Sequence, residues 1–385
     1  MPRALILLPE APYPVIGGGP LRSACVIEGL ASQFELSAIH FHLAGDPDPA
    51  TLYPPNLLSS SHTLKLPQHA KSLFPRLIRN LNRALRGVPP LVDRFAGHEA
   101  TIEGILRNQR FDLIWVEHFW AASYAPLLKQ HTSKLVLNLH NIEHAYYDSL
   151  ATAAPFLHRS LFRHFARNAR HYEARLLPQF DLLVTTSSDD ASRIHHPNIR
   201  VLPNTIPWHV QPNEPQTESL VFTGNFAYTP NLQALHWFLE NCWPTLLKHK
   251  PQLRLRLVGK EIQYARSRHP SIDYIGPVPD AIPEIAKSRL AIVPLQSGSG
   301  TRLKILEAWA AGCAVLSTPI GAEGLDAKPD EHLKIAEGAE AFTQSVLDLL
   351  DNEMVRSRLV QAGRLLYEDR YTWQSARKIL SELDL

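Results

Sequence analysis

Between Pro294 and Gly312 the chain reads Pro-Leu-Gln-Ser-Gly-Ser-Gly-Thr-Arg-Leu-Lys-Ile-Leu-Glu-Ala-Trp-Ala-Ala-Gly, a stretch dense in groups that can hold an anion. An apolar run ends at Pro294 and the residues through Thr301 form a Gly/Ser turn. A helix is expected from about Gly300, with Leu303, Leu306 and Ala310 as its apolar stripe and Gly312 as its C-cap. Such a turn leaves free backbone N–H groups of Ser299, Gly300 and Thr301 and the positive end of a helix dipole aimed at one spot. Arg302 and Lys304 add two cations there, each costing the bare helix roughly 0.3–1 kcal/mol, a cost that a bound anion reverses. Glu307 follows Gly300 by seven residues, on the same helical face, one to two turns from the anion and suited to a ribose diol. The plainer alternative is a crossover helix carrying a solvated Lys304–Glu307 pair.

Other stretches could serve the same chemistry. Pro12-Tyr-Pro-Val-Ile-Gly-Gly-Gly-Pro-Leu-Arg22 follows an apolar run and precedes a helical pattern. It is a poor dinucleotide fingerprint, because Arg22 stands where a third glycine belongs, and a simple strand-to-helix turn is its alternative. Leu137-Asn-Leu-His140 ends a strand pattern, where a histidine can donate to a developing anion or contact substrate oxygens. Phe222-Thr-Gly-Asn-Phe-Ala-Tyr-Thr-Pro-Asn231 restarts the pattern of strand, glycine turn and helix, but holds no basic residue before His236. Any cation needed beside Gly224 and Asn225 must therefore come from Lys260, Arg302 or Lys304. No Asp-x-Asp motif sits at a strand end, and no metal site is expected.

These residues need a scaffold, and the patterns describe one. Short apolar runs alternate with helical periods, which indicates βαβ units and parallel sheets. Strands are expected at Ala4–Leu8, Leu36–Phe41, Leu113–Val116, Lys134–Leu139, Leu182–Thr185 and Arg200–Leu202. A second set falls at Ser219–Thr223, Arg254–Val258, Ile272–Ile275, Ala291–Val293, Ala314–Ser317 and Leu333–Ile335. Long helices are expected at 154–177, 231–248, 356–367 and 372–383, and Ser188 or Asp189 is expected to cap a short one. Pro203–Glu218, polar and aperiodic, reads as a linker. The domains expected are 1–205, 206–370 and a final helix, 371–385, returning to the first.

The chain has 385 residues, 45% hydrophobic and 20% charged, enough for two ordinary globular cores. A net charge of +2 argues against nucleic acid as a partner. Cys25, Cys242 and Cys313 are too scattered for a disulfide framework, and no segment approaches a membrane span, so a cytoplasmic location is expected. Between Gln68 and Val88, Arg76, Arg79, Arg83 and Arg86 flank a stripe of Leu73, Phe74, Leu77, Leu81 and Leu85. That helix can lie on the inner face of an anionic membrane or simply present a solvated arginine face.

Gly298–Gly312 followed by Ala314-Val-Leu-Ser-Thr-Pro-Ile-Gly-Ala-Glu-Gly-Leu325 resembles the donor motif of family 4 retaining glycosyltransferases. The resemblance runs through nearly the whole chain, in order. It implies the GT-B fold, α/β, with two Rossmann-like doubly wound parallel-sheet domains facing a central cleft. It implies a hexosyltransferase of polysaccharide biosynthesis, moving sugar from a nucleoside diphosphate sugar to a glycan, lipid-linked or small-molecule hydroxyl. His140, Lys304 and Glu307 are then expected in catalysis. Gly18, Gly19, Gly224, Asn225, Lys260, Val278, Ser299, Gly300, Thr301, Arg302 and Glu307 are expected on the donor, and Arg22 and Glu117 on the acceptor side. No cofactor is expected beyond the sugar nucleotide as co-substrate. Ser299 replaces the family's first glutamate, which touches the donor sugar. A sugar-nucleotide epimerase on the same fold and a catalytically silent binding subunit are the rival readings.

Overall fold

A computed structural model describes residues 1–15, 17–43, 45, 47–67, 72–153, 156–265, 269–298 and 302–385. The chain forms two compact units, one of Met1–Asn204 with Ala376–Leu385 and one of Thr205–Ser375.

The first unit is built on a sheet in the order β3-β2-β1-β4-β5-β6-β7, with every described pairing parallel. Its strands are β1 (Arg3–Leu8), β2 (Glu35–Leu43), β3 (Ser60–Leu66), β4 (Phe111–Glu117), β5 (Thr132–Asn138), β6 (Leu182–Thr185) and β7 (Ile199–Val201). Ala4 to Leu8 and Leu113 to Val116 are all buried, as they must be when helices cover both faces of a parallel sheet. Helix Gly18–Ala31 lays Ala24, Val26, Ile27 and Leu30 into this core. Gly29 gives the final helix room, since a Cβ there would stand 2.7 Å from Leu380 Cδ1, and Arg377 pairs with Glu28. Strand order reverses between β1 and β4, so a crevice opens at the C-terminal ends of those two strands.

The second sheet runs β10-β9-β8-β11-β12-β13, again parallel throughout. It comprises β8 (Thr217–Thr223), β9 (Arg254–Val258), β10 (Ile272–Gly276), β11 (Ser288–Val293), β12 (Ala314–Ser317) and β13 (Lys334–Ile335). Its reversal lies between β8 and β11. The helix that follows β11 is Leu303–Ala310. It ends in a Schellman turn: Gly312 adopts φ 68, its N–H reaches the Trp309 carbonyl at 3.1 Å, and the Cys313 N–H reaches Ala308 at 2.9 Å.

Four local expectations are revised. β3 carries only Leu64 and Leu66 as buried residues, so its sequence gave no apolar run to recognise. The 231–248 helix is two, Thr229–Asn241 and Trp243–His249, because Pro244 lacks the N–H that would continue the ladder. The expected helix at 154–177 is Phe156–Leu176, preceded by Glu143–Ala153, while Ala154 and Pro155 lie outside the described residues. Ser187, not Ser188 or Asp189, caps its short helix by accepting from the Asp190 N–H at 3.1 Å. Among the described residues no helix is long and apolar enough to cross a membrane, and no group of three or more His, Cys, Asp or Glu could hold a metal ion.

Candidate functional site

The switch point of the second sheet gathers several of the residues expected on the donor. β8 delivers Phe222 and Thr223, and Gly224 follows with φ 154. The Gly224 N–H bonds the Val258 carbonyl at 3.0 Å. Gly259 comes so close that a Cβ on it would lie 1.8 Å from the Gly224 oxygen. Glycine at both positions lets the loops after β8 and β9 meet backbone to backbone. Asn225 is exposed and turns the loop by accepting from the Ala227 N–H at 2.9 Å, and Lys260, exposed at the end of β9, accepts from the Phe226 N–H at 2.9 Å.

Helix Leu303–Ala310 brings its own groups to this place. Arg302 is its N-cap residue and is buried, with Nε and Nη2 directed at the Ile320 carbonyl at 3.3 and 3.2 Å. Lys304 Nζ donates to Asn231 Oδ1 at 2.7 Å and sits 4.6 Å above the Phe222 ring. Among the described residues no carboxylate stands within ion-pair distance of it. Burial, then repulsion from Arg302, pulls the Lys304 ammonium down to about 7 against a smaller opposing pull from Glu307. Burial likewise pushes the Glu307 carboxyl up to about 7, although Lys304 and a hydrogen bond with Thr223 oppose it and Asp280 adds to it. Val278 is half-buried in the loop that leads to Asp280. Ser299, Gly300 and Thr301 lie outside the described residues.

The switch point of the first sheet holds a second cluster. Glu117, the last residue of β4, is wholly buried and accepts four hydrogen bonds. They come from Trp115 Nε1 (2.7 Å), Asn138 Nδ2 (2.9 Å), Ser23 Oγ (2.8 Å) and His140 Nε2 (2.5 Å). Burial alone would raise this carboxyl, but the charge and hydrogen bonds around it, His140 first, hold it down to about 2. It is therefore an anion and can only accept. His140 Nε2 faces the Glu117 carboxylate and so donates to it, while burial lowers the His140 pKa against the opposing pull of Glu117.

Around this pair Arg22 is buried and donates through Nε and Nη2 to Asn138 Oδ1 (3.1 and 2.5 Å) and through Nη1 to the Leu202 carbonyl (2.6 Å). It braces the floor of the site. Gly18 and Gly19 form the first turn of helix Gly18–Ala31, and a Cβ on Gly19 would fall 2.9 Å from Glu10 Oε2. Sequence reasoning missed Glu10, Ser23, His118, Asn138, Thr223 and Asn231. His118 has φ 62, its ring lies 3.5 Å from the His140 ring and 4.1 Å from that of Trp120, and its buried Nε2, 3.8 Å from Glu10 Oε2, has no hydrogen-bond partner among the described residues. Glu117 and Asn138 end their strands and Glu10 follows β1 by two residues, so a search of C-terminal strand ends finds them.

A half-buried ammonium beside a glycine-rich loop can take an anion, a neighbouring carboxylate can take a diol, and an imidazole can contact a hydroxyl. Residues 217–352 match the family described as glycosyl transferases group 1. An uncharacterized 44.6 kDa protein in the cps region of Klebsiella pneumoniae is 24% identical over 261 residues, 64% of this chain and 67% of that protein. Sucrose-phosphate synthase from Thermosynechococcus elongatus superposes with a TM-score of 0.74 at 15% identity, covering 99% of this chain and 98% of its own. Anabaena HepE in complex with UDP-glucose gives 0.64 at 12% identity, covering 98% of each chain. The shared architecture is the GT-B fold.

Proposed function

We propose that this chain, a glycosyltransferase of GT-B fold with its group 1 domain at residues 217–352, moves a sugar from a nucleoside diphosphate sugar to an acceptor hydroxyl with retention at the anomeric carbon. The observation that carries this reading is Lys304: a half-buried ammonium held by a neutral amide and an aromatic face at the reversal of a parallel sheet. As the glycosidic bond to the donor breaks, negative charge grows on the diphosphate. Lys304 and the amino end of helix Leu303–Ala310 are placed to stabilise it. Glu307 accepts hydrogen bonds from the ribose diol, and His140 Nδ1 accepts one from a sugar hydroxyl. The departing phosphate takes the acceptor proton on the same face, so no side-chain nucleophile is required.

The acceptor we propose is a growing glycan or its lipid-linked form. The setting is polysaccharide assembly, in keeping with a relative named for a cps region and a similar structure holding UDP-glucose. Incubation with a panel of nucleoside diphosphate sugars, followed by NMR of the product, tests the reading. Release of nucleotide with an anomeric configuration matching the donor is expected. Inversion would remove the mechanism, and absence of both transfer and slow donor hydrolysis would favour the silent subunit.

A peripheral membrane contact forms part of the same proposal. Helix Leu73–Arg86 exposes Phe74 (73%), Ile78 (44%), Leu81 (61%) and Leu85 (78%), spaced as one stripe. Its other side is seated, with Ala84 against Tyr147 and Phe165 and the Ala84 carbonyl 3.0 Å from His164 Nε2. Arg83 and Arg86 share the single carboxylate of Asp93, at 2.8 and 2.5 Å, so this trio keeps a net positive charge. The side chains of Leu73, Arg76 and Leu77 lie outside the described residues, as does Gln68. Co-sedimentation with phosphatidylglycerol vesicles at low salt is expected, with loss of binding in Leu81→Glu, Leu85→Glu. Unbound wild-type protein would exclude the contact.

A further inference from the structure

The loop Gly224–Asn231 lies at the proposed donor position without a cation of its own, so any cation that meets a diphosphate there comes from another segment. The geometry distinguishes three candidates. Lys260 is exposed, and Arg302 directs Nε and Nη2 to the Ile320 carbonyl. Arg302 also stands near Tyr228, and Lys304 brings its ammonium onto the loop, with Nζ 2.7 Å from Asn231 Oδ1 and 3.4 Å from where a Cβ on Gly224 would stand.

We infer that Asn231 is the positioning residue that carries Lys304 Nζ to the donor diphosphate, in place of a basic residue on the loop. The inference rests on the donor site proposed above.

The orientation of the Asn231 amide is fixed from both ends. Its Nδ2 donates to the Asn225 carbonyl at 3.0 Å, which closes the loop on itself and turns Oδ1 toward Lys304. The Asn231 N–H bonds the Tyr228 carbonyl at 3.0 Å, so the residue is also anchored through its backbone at the start of helix Thr229–Asn241. Space is fixed as well. A Cβ on Gly224 would lie 2.7 Å from Asn231 Nδ2, so the glycine and the asparagine are matched. Beneath them the Phe222 ring supports the ammonium from its face.

The chemistry of the amide matters more than its shape. An amide oxygen accepts from an ammonium but brings no charge, so the full positive charge remains for an incoming anion. Aspartate in the same place would form an ion pair and compete with the diphosphate. Burial beside Arg302, with neutral neighbours at Nζ, already pulls Lys304 down to about 7, and a diphosphate restores its proton.

Titration calorimetry of the full chain with UDP, and with uridine as the phosphate-free probe, tests the inference. Asn231→Ala should weaken UDP roughly tenfold and leave uridine unchanged, as expected for loss of a charge-assisted contact. Asn231→Asp keeps an acceptor at the same reach if alanine disturbs the fold. It should lower UDP affinity and move its alkaline decline to higher pH. Equal losses for UDP and uridine, or UDP affinity unchanged in both variants, would overturn the positioning role while leaving the donor site standing. If wild-type protein binds no nucleoside diphosphate, the functional reading itself fails.

Discussion

At the scale of single residues the account rests on two titrating groups that oppose each other. Lys304 is pulled down to about 7 by burial, so its charge is lost as pH rises through neutrality. Anion binding prefers the protonated form, so diphosphate affinity falls on that side and a proton is taken up on binding. Glu307 is pushed up to about 7 by burial, and it must be a carboxylate to accept from a ribose diol, so affinity also falls as pH drops. Nucleotide affinity should therefore peak near neutrality. Lys304→Met should flatten the alkaline limb and Glu307→Gln the acid limb in a calorimetric pH series. A flat profile from about pH 6 to about pH 9 in the wild type would remove both assignments. In the first unit Glu117 shows the converse case, a buried carboxyl held down to about 2 by the donors around it, His140 Nε2 among them.

At the scale of elements the donor site depends on two strands ending in glycine. Gly259 adopts φ 145 and faces the Gly224 oxygen, leaving no volume for a methyl group. Gly259→Ala should force the two loops apart, lowering stability by about 1–3 kcal/mol and weakening nucleotide binding with it. A melt and a titration on the same sample check this, and an unchanged melting temperature would contradict the packing described. Much of this level was legible beforehand. The runs at β1, β4, β5, β8, β9 and β11 are apolar and short, and Gly224 and Gly259, directly after β8 and β9, mark turns that favour glycine. The edge strand β3 was not legible, because Ser-Ser-His-Thr-Leu-Lys-Leu buries only its last leucines. Ser187 was passed over as a cap because Ser188 and Asp189 are equally suitable types, and only the backbone shows which one leaves the helix. Asn231 was invisible for another reason: asparagine after Thr-Pro is an ordinary turn residue until Lys304 is found against it.

At the scale of the molecule, each unit repeats one arrangement: a parallel sheet whose order reverses once, with its polar residues gathered at that reversal. In the first unit these are Glu10, Glu117, His118, Asn138 and His140, and in the second Gly224, Asn231, Lys304 and Glu307. A solved structure of the chain with UDP bound tests the central claim most directly. The account predicts diphosphate oxygens within hydrogen-bond distance of Lys304 Nζ and the ribose diol on Glu307. UDP lodged elsewhere, with Lys304 still bound to Asn231 alone, would contradict it.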